Sequence, residues 1–196
     1  MSYTVGRLLF VVLFLVFFRW RVYGRENIPA EGVVICSNHI NWLDPPLMAS
    51  SIKGRKVHFM AKEELFANPV AGFILKKCKA FPVKRDRPDR KALQHSLRLL
   101  QEGEIVGMFP EGTRSKTGKM QELMDGAAML VLKSRAPVVP MAVKGPYRLF
   151  QPIEVYLGPP LYFNSDKKGK KYSREDLKEV SRSIRENINK MLEENR

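Results

Sequence analysis

Four short, mostly apolar runs set the limits on what this chain can fold into: VVICS (33–37), KVHFM (56–60), EIVGMFP (104–110) and PVVPMAV (137–143). Each is too short for a core helix, and most are apolar at consecutive positions, which reads as a strand covered on both faces. KAFPVKR (79–85) and PIEVYLG (152–158) are further strand-like runs. Between them lie segments of helical length: PPLMASSI (45–52), NPVAGFILKKC (68–78), RPDRKALQHSLRLLQEG (87–103), GAAMLVLKSRA (126–136) and an amphipathic tail from Ser173. In the third of these, Leu93, Leu97 and Leu100 line one side and Gly103 supplies the stop. Strands alternating with helices predict an α/β fold, with a central, mostly parallel or mixed sheet flanked by helices. Proline within PVVPMAV predicts an edge position or a bulge for that strand.

The N-terminus departs from this pattern. LLFVVLFLVFF (8–18) is unbroken apolar sequence, and Arg19, Trp20 and Arg21 follow at once. About 20 apolar residues span a bilayer comfortably, and about 10–14 more often mark an interfacial segment. No small-residue cleavage site follows, which argues against a removed signal peptide. An aromatic beside arginines suits a membrane–water boundary. Residues 1–22 are therefore expected to form a membrane-associated helix, lying in or dipping into one leaflet, with residues 23–196 as a single α/β domain beyond the turn-rich GRENIPAEG (24–32). The alternative is an apolar helix buried in the protein.

Charge narrows the partner class. The chain has 34 basic and 20 acidic residues, a formal +14, which points to an anionic partner. Residues 76–98 alone hold nine basic and two acidic side chains. No nucleic-acid motif interleaves aromatics with these bases, and anionic lipid accounts for the field. Two cysteines, Cys36 and Cys78, make neither a disulfide framework nor a zinc site, so no metal and a reducing compartment are expected.

Two stretches carry candidate chemistry. In CSNHINWLDPP (36–46), His39 and Asp44 stand five residues apart, a spacing that neither a helix nor a strand brings onto one face. A turn must intervene if they act together. Asp44 reads as a helix N-cap with Pro45 at the first helical position. Its carboxylate could fix the imidazole tautomer and leave the other ring nitrogen free to accept a proton; otherwise Asp44 is only a cap. In FPEGTRSKTGK (109–119), Gly112 permits a turn or close approach, Arg114, Lys116 and Lys119 offer phosphate donors, and Glu111 could orient Arg114 or accept from a ligand hydroxyl. The alternative is a solvated turn with a surface ion pair.

Taken together these stretches resemble the glycerolipid acyltransferase family, and within it the 1-acylglycerol-3-phosphate (lysophosphatidate) acyltransferases. NHINWLD matches the family's N-H-x-x-x-x-D block, AFPVKRD looks like the second block with Arg85, FPEGTRS matches the third, and VVPMAV the fourth with Pro140. MAKEELFANPVAG (60–72), with Lys62, also looks like the family, whereas Pro82 stands where many members have Gly or Ile. The matches run in family order from about Val33 to Val143.

The resemblance implies transfer of an acyl chain from a thioester to the sn-2 hydroxyl of lysophosphatidate, giving phosphatidate. It implies His39 and Asp44 as catalytic base and its orienting partner, with Lys62, Arg85, Glu111, Gly112, Thr113 and Arg114 binding substrate. No bound cofactor is implied; acyl-CoA or an acidic acyl–carrier protein is the co-substrate, the lipid bilayer a partner, and the cytoplasmic face of the membrane the setting. A sibling enzyme acting on glycerol-3-phosphate or another lysolipid is the near alternative. A non-catalytic basic membrane-peripheral protein is the remote one. No G-x-S-x-G elbow supports a serine hydrolase.

Overall fold

The computed structural model describes residues 3–84, 87–115, 120–163 and 172–194. Seven strands form one sheet: β1 (Arg19–Tyr23), β2 (Val33–Ser37), β3 (Val57–Lys62), β4 (Ala80–Val83), β5 (Ile105–Met108), β6 (Val138–Lys144) and β7 (Pro152–Leu157). Their order across the sheet is β1-β7-β6-β2-β5-β3-β4. Every neighbouring pair is parallel except β6 and β7. The mostly parallel α/β fold expected from the alternating runs is the fold observed.

Side chains alternate across each strand and so sort the helices into two layers. Val34, Cys36, Val106 and Met108 face α4 (Arg90–Gln101), α5 (Asp125–Ser134) and α6 (Arg174–Glu194). Val33, Ile35, Ile105 and Val139 face α1 (Tyr3–Phe17) and α2 (Asp44–Ser51). A short 3-10 turn (Glu63–Phe66) and α3 (Pro69–Lys77) lie toward the β4 edge of that second face, where Phe66 and Leu75 join the same core. Gly107 in β5 makes this layer possible. A Cβ there would come within 2.7 Å of Met48 Sδ and 2.8 Å of Val57 Cγ1.

α1 buries Phe14 against the sheet but leaves Val5, Leu8, Leu9, Val12, Leu15 and Val16 exposed as one stripe. It is thus neither a fully buried helix nor free of the domain. Arg7, the charge interrupting the apolar run, turns inward: Nε donates to Ala49 O at 2.9 Å, and Nη2 to Ser50 O at 3.2 Å and Ile52 O at 2.7 Å. Arg25 Nε adds a bond to Ser51 O at 2.9 Å. Together they satisfy the orphan carbonyls at the C-terminus of α2, the negative end of its dipole. Among the described residues no helix is long and apolar enough to cross a membrane.

Two local expectations meet particular strands. RWRVY (19–23) forms the edge strand β1, so the expected division at 22/23 falls inside a strand. Long-range pairing with β7 makes it a strand, and nothing local announces it. β6, expected at an edge or a bulge because of its proline, is interior between β2 and β7, and its pairing slips by one residue around Pro140, from Met141↔Leu157 to Val138↔Leu161. Pro140 is tolerated because it lies just past the β6–β7 ladder, which begins at Met141↔Leu157. Its carbonyl still accepts from Gly158 N at 2.8 Å, and only the absent N–H lacks a place in that pairing.

Replacing Arg7 by Met, which keeps an apolar stem but removes the three donors, should lower the free energy of unfolding by about 2 kcal/mol. Urea titration checks this, and an unchanged midpoint would mean that water serves the α2 carbonyls equally well.

Candidate active site

β2 and β5 are adjacent and parallel, yet the chain leaves β2 through α2 on one face and β5 through α5 on the other. Such a divergence opens a crevice at the carboxyl ends of the strands. Both motif loops start there.

Asn38 lets the β2 main chain leave the sheet. Its side chain is buried and takes over the ladder to β6, with Nδ2 donating to Val143 O at 3.0 Å and Oδ1 accepting from Val143 N at 2.8 Å. The backbone is then free to turn, and His39 follows. Its ring stacks on Phe109 from the end of β5, with centroids 4.4 Å apart.

His39 Nδ1 lies 2.7 Å from Asp44 Oδ2. The same oxygen accepts from Ile40 N at 2.6 Å and Asn41 N at 2.7 Å, and Oδ1 accepts from the Tyr147 hydroxyl. Asp44 is wholly buried. A carboxylate surrounded by donors is an acceptor, so Nδ1 of His39 carries its proton toward it and Nε2 presents a lone pair. The His39 side chain is 16% exposed.

The expected N-cap is displaced by one residue. Leu43 occupies the cap position and Asp44 is the first helical residue. Its carboxylate turns back onto the amides of the preceding turn instead of forward onto the helix, which is how a five-residue separation closes to a hydrogen bond. Pro45 and Pro46 fill early positions of α2, where a missing N–H is harmless.

Glu111 clips the two loops together. Oε1 accepts from His39 N at 2.8 Å and Oε2 from Gln121 N at 2.9 Å, while Ser115 N donates to His39 O at 2.7 Å. Expected among the substrate-binding residues, Glu111 is buried with both oxygens engaged by backbone amides. Burial pushes its carboxyl above the usual range, against the lowering effect of those bonds. Gly112 adopts φ +71°, a conformation that favours glycine, with the flexible Met124 side chain packed over it.

Thr113 and Arg114 are exposed on the same loop. Lys62 ends β3, beside β5, and pairs with Glu64 at 3.1 Å on the surface. Arg85, Lys116 and Lys119 lie outside the described residues. Cys36 is core, its thiol raised by burial to about 12, and the Ser37 hydroxyl is buried and donates to Asn38 O at 3.1 Å. Neither is placed as a nucleophile.

Sequence reasoning missed Tyr147, Phe109 and the clipping role of Glu111. Tyr147 follows the end of β6, a neighbour of β2 in a parallel array. Attention to every loop at a carboxyl end would have found it.

A family model described as acyltransferase matches residues 19–144. The chain is 43% identical over 127 residues to a 1-acyl-sn-glycerol-3-phosphate acyltransferase of Bacillus subtilis (strain 168), covering 64% of this chain and 63% of that protein. It is 30% identical over 158 residues to the Streptococcus pneumoniae protein of the same name, covering 76% of this chain and 56% of that one. The matched region thus spans less than two thirds of these relatives. The crystal structure of the 1-acyl-sn-glycerophosphate (LPA) acyltransferase PlsC from Thermotoga maritima superposes with a TM-score of 0.69 at 24% identity. That alignment covers 97% of this chain and 78% of that one, and it shows the same fold.

Glu111 also gives a pH prediction. A carboxyl raised above its ordinary 4.5 holds a proton in the folded state that the unfolded state has released. It therefore removes stability as pH rises from 4.5 through its folded value. Glu111→Gln, which resembles the protonated acid, should gain stability relative to the wild type across that window. Urea midpoints of both proteins from pH 4 upward test this, and a constant difference would refute it.

Proposed function

This chain belongs to the acyltransferase family, and from that premise we propose that it transfers a fatty acyl chain from an acyl thioester to the sn-2 hydroxyl of 1-acylglycerol-3-phosphate, making phosphatidate. The observation that carries the reading is the His39–Asp44 pair at the crevice, hydrogen-bonded through Nδ1, which turns Nε2 away from the carboxylate.

The acceptor hydroxyl gives its proton to His39 Nε2 as its oxygen attacks the thioester carbonyl. Asp44 stabilises the imidazolium so formed, the logic of a hydrolase triad with the substrate's hydroxyl in the place of serine. The tetrahedral intermediate collapses by breaking the C–S bond, and the imidazolium returns its proton to the departing sulfur. Acyl-CoA and acyl–carrier protein both supply this chemistry. Arg114, Lys62 and Arg85 are the donors assigned to the phosphate, and Thr113 and the backbone of Gly112 are assigned to substrate with them. Glu111 serves them indirectly, by holding the loop.

The exposed face of α1 is assigned to the bilayer surface and the sheet domain, from β1 onward, to catalysis, at the cytoplasmic face of the membrane. The exposed stripe of α1 supports this, together with a second apolar group on the same face of the sheet: Leu65, Val70, Phe73 and Ile74 of the 3-10 turn and α3. Lysines flank it, and Lys77 Nζ lies 5.3 Å from the Phe73 ring centroid. Apolar side chains rimmed by lysine suit an anionic lipid surface.

Purified protein in vesicles should convert lysophosphatidate to phosphatidate, and His39→Ala should reduce the rate by about 10² or more. Equal rates would remove His39 from the mechanism, and no product with either donor would redirect attention to another acceptor. Changing Leu8, Val12 and Leu15 together to Gln should weaken binding to anionic vesicles at least about tenfold in a sedimentation assay; unchanged binding would dissociate α1 from the membrane.

A further inference from the structure

We infer that Tyr147 is a positioning residue of the acyl-transfer site: its hydroxyl, donating to Asp44 Oδ1, fixes the carboxylate so that Oδ2 stays aimed at His39 Nδ1. The inference rests on the proposed role of the His39–Asp44 pair. Tyr147 lies outside the four sequence blocks that mark the family resemblance.

The two oxygens of Asp44 are held differently. Oδ2 receives three donors, two of them backbone amides of its own turn. Oδ1 receives the phenol of Tyr147, from a segment 103 residues away. A carboxylate turns readily about its terminal bond. Donors on one oxygen alone leave the plane of the group undefined, and the second oxygen would stand buried without a partner. The phenol supplies both the missing bond and the missing angle.

The chain between β6 and β7 is shaped to deliver this side chain. Gly145 has φ +132°, and a Cβ there would lie 2.5 Å from Pro152 O. Tyr147 itself adopts φ +47°, a region that residues with a Cβ avoid. Arg148, Leu149 and Phe150 beyond it point to solvent, so within this turn Tyr147 is the side chain directed at the site. Strain of this kind persists where surrounding structure over-determines it, and here it coincides with a catalytic contact.

The ring is also held from behind. Phe18, just past the C-terminus of α1, meets it edge-on with centroids 6.3 Å apart, and Phe150 N donates to Phe17 O at 2.8 Å. Burial and the Asp44 carboxylate keep the phenol far above its usual range, so it is a donor at any pH the enzyme meets. The path from α1 to the reacting nitrogen is short: Phe18, Tyr147, Asp44, His39.

Tyr147→Phe removes the hydroxyl and keeps the ring against Phe18. In vesicles the variant should lose about tenfold or more in kcat, with KM for lysophosphatidate and for the acyl donor unchanged within a factor of two. An altered KM with unchanged kcat would make Tyr147 a substrate contact and overturn the proposal. The second readout is independent of turnover: in protein labelled with 15N-histidine, the Nδ1 proton of His39 should be a slowly exchanging resonance that shifts or broadens away in the variant. If that resonance and kcat are both unchanged, Tyr147 does not position the pair. If the wild type makes no phosphatidate, the acyl-transfer reading fails, and the imidazole resonance alone then decides whether Tyr147 orders Asp44.

Discussion

A carboxylate with no access to water dictates how the crevice is built. Burying an isolated ionised Asp44 would cost at least several kcal/mol, so its oxygens must be fully served by donors. Two come from the amides of Ile40 and Asn41, which forces residues 40–43 to curl around the side chain. One comes from His39 and one from Tyr147. The start of α2, the turn after β2 and the connection from β6 to β7 are thus shaped by one demand. An imidazole caught in this arrangement has its tautomer and ring plane set before any ligand arrives, which is the pre-organisation general-base catalysis needs.

The sheet supplies the setting for that demand. Parallel strands present their carboxyl ends on one side, and the divergence of α2 and α5 parts the loops after β2 and β5. Two side chains then hold the parted loops in register. Asn38 extends the β2–β6 ladder with an amide group in place of a peptide, and Glu111 bridges the backbone of His39 to that of Gln121. Both fix where His39 stands.

Much of this was legible in the sequence because it is written locally. The buried strands, the helix stopped by Gly103 and the glycine turn at Gly112 follow from patterns a few residues wide. The His39–Asp44 spacing demanded a turn, and a turn is there. What escaped depends on partners distant along the chain. RWRVY became β1 only because β7 lies beside it. Pro140 sits in an interior strand only because the ladder to β7 stops at Met141, one residue short of it. Asp44 reads as a cap by residue type, but its carboxylate faces backward because His39 and Tyr147 compete successfully for it. A lone Tyr after Gly-Pro carries no local signal for a contact 103 residues away. Local propensity is overridden where buried polar groups must find partners.

The grip of Arg7 on α2 has a geometric consequence. Three hydrogen bonds join α1 to the far end of the helix that begins with Asp44, so the apolar stripe cannot swivel independently of the sheet. A flexible tether would let a domain tumble within a cone above a surface. A stripe that is rigid with the sheet admits one attitude, with rotation left only about the surface normal. The height and tilt of the crevice above a bilayer would then be properties of the fold itself, fixed before the protein meets a lipid.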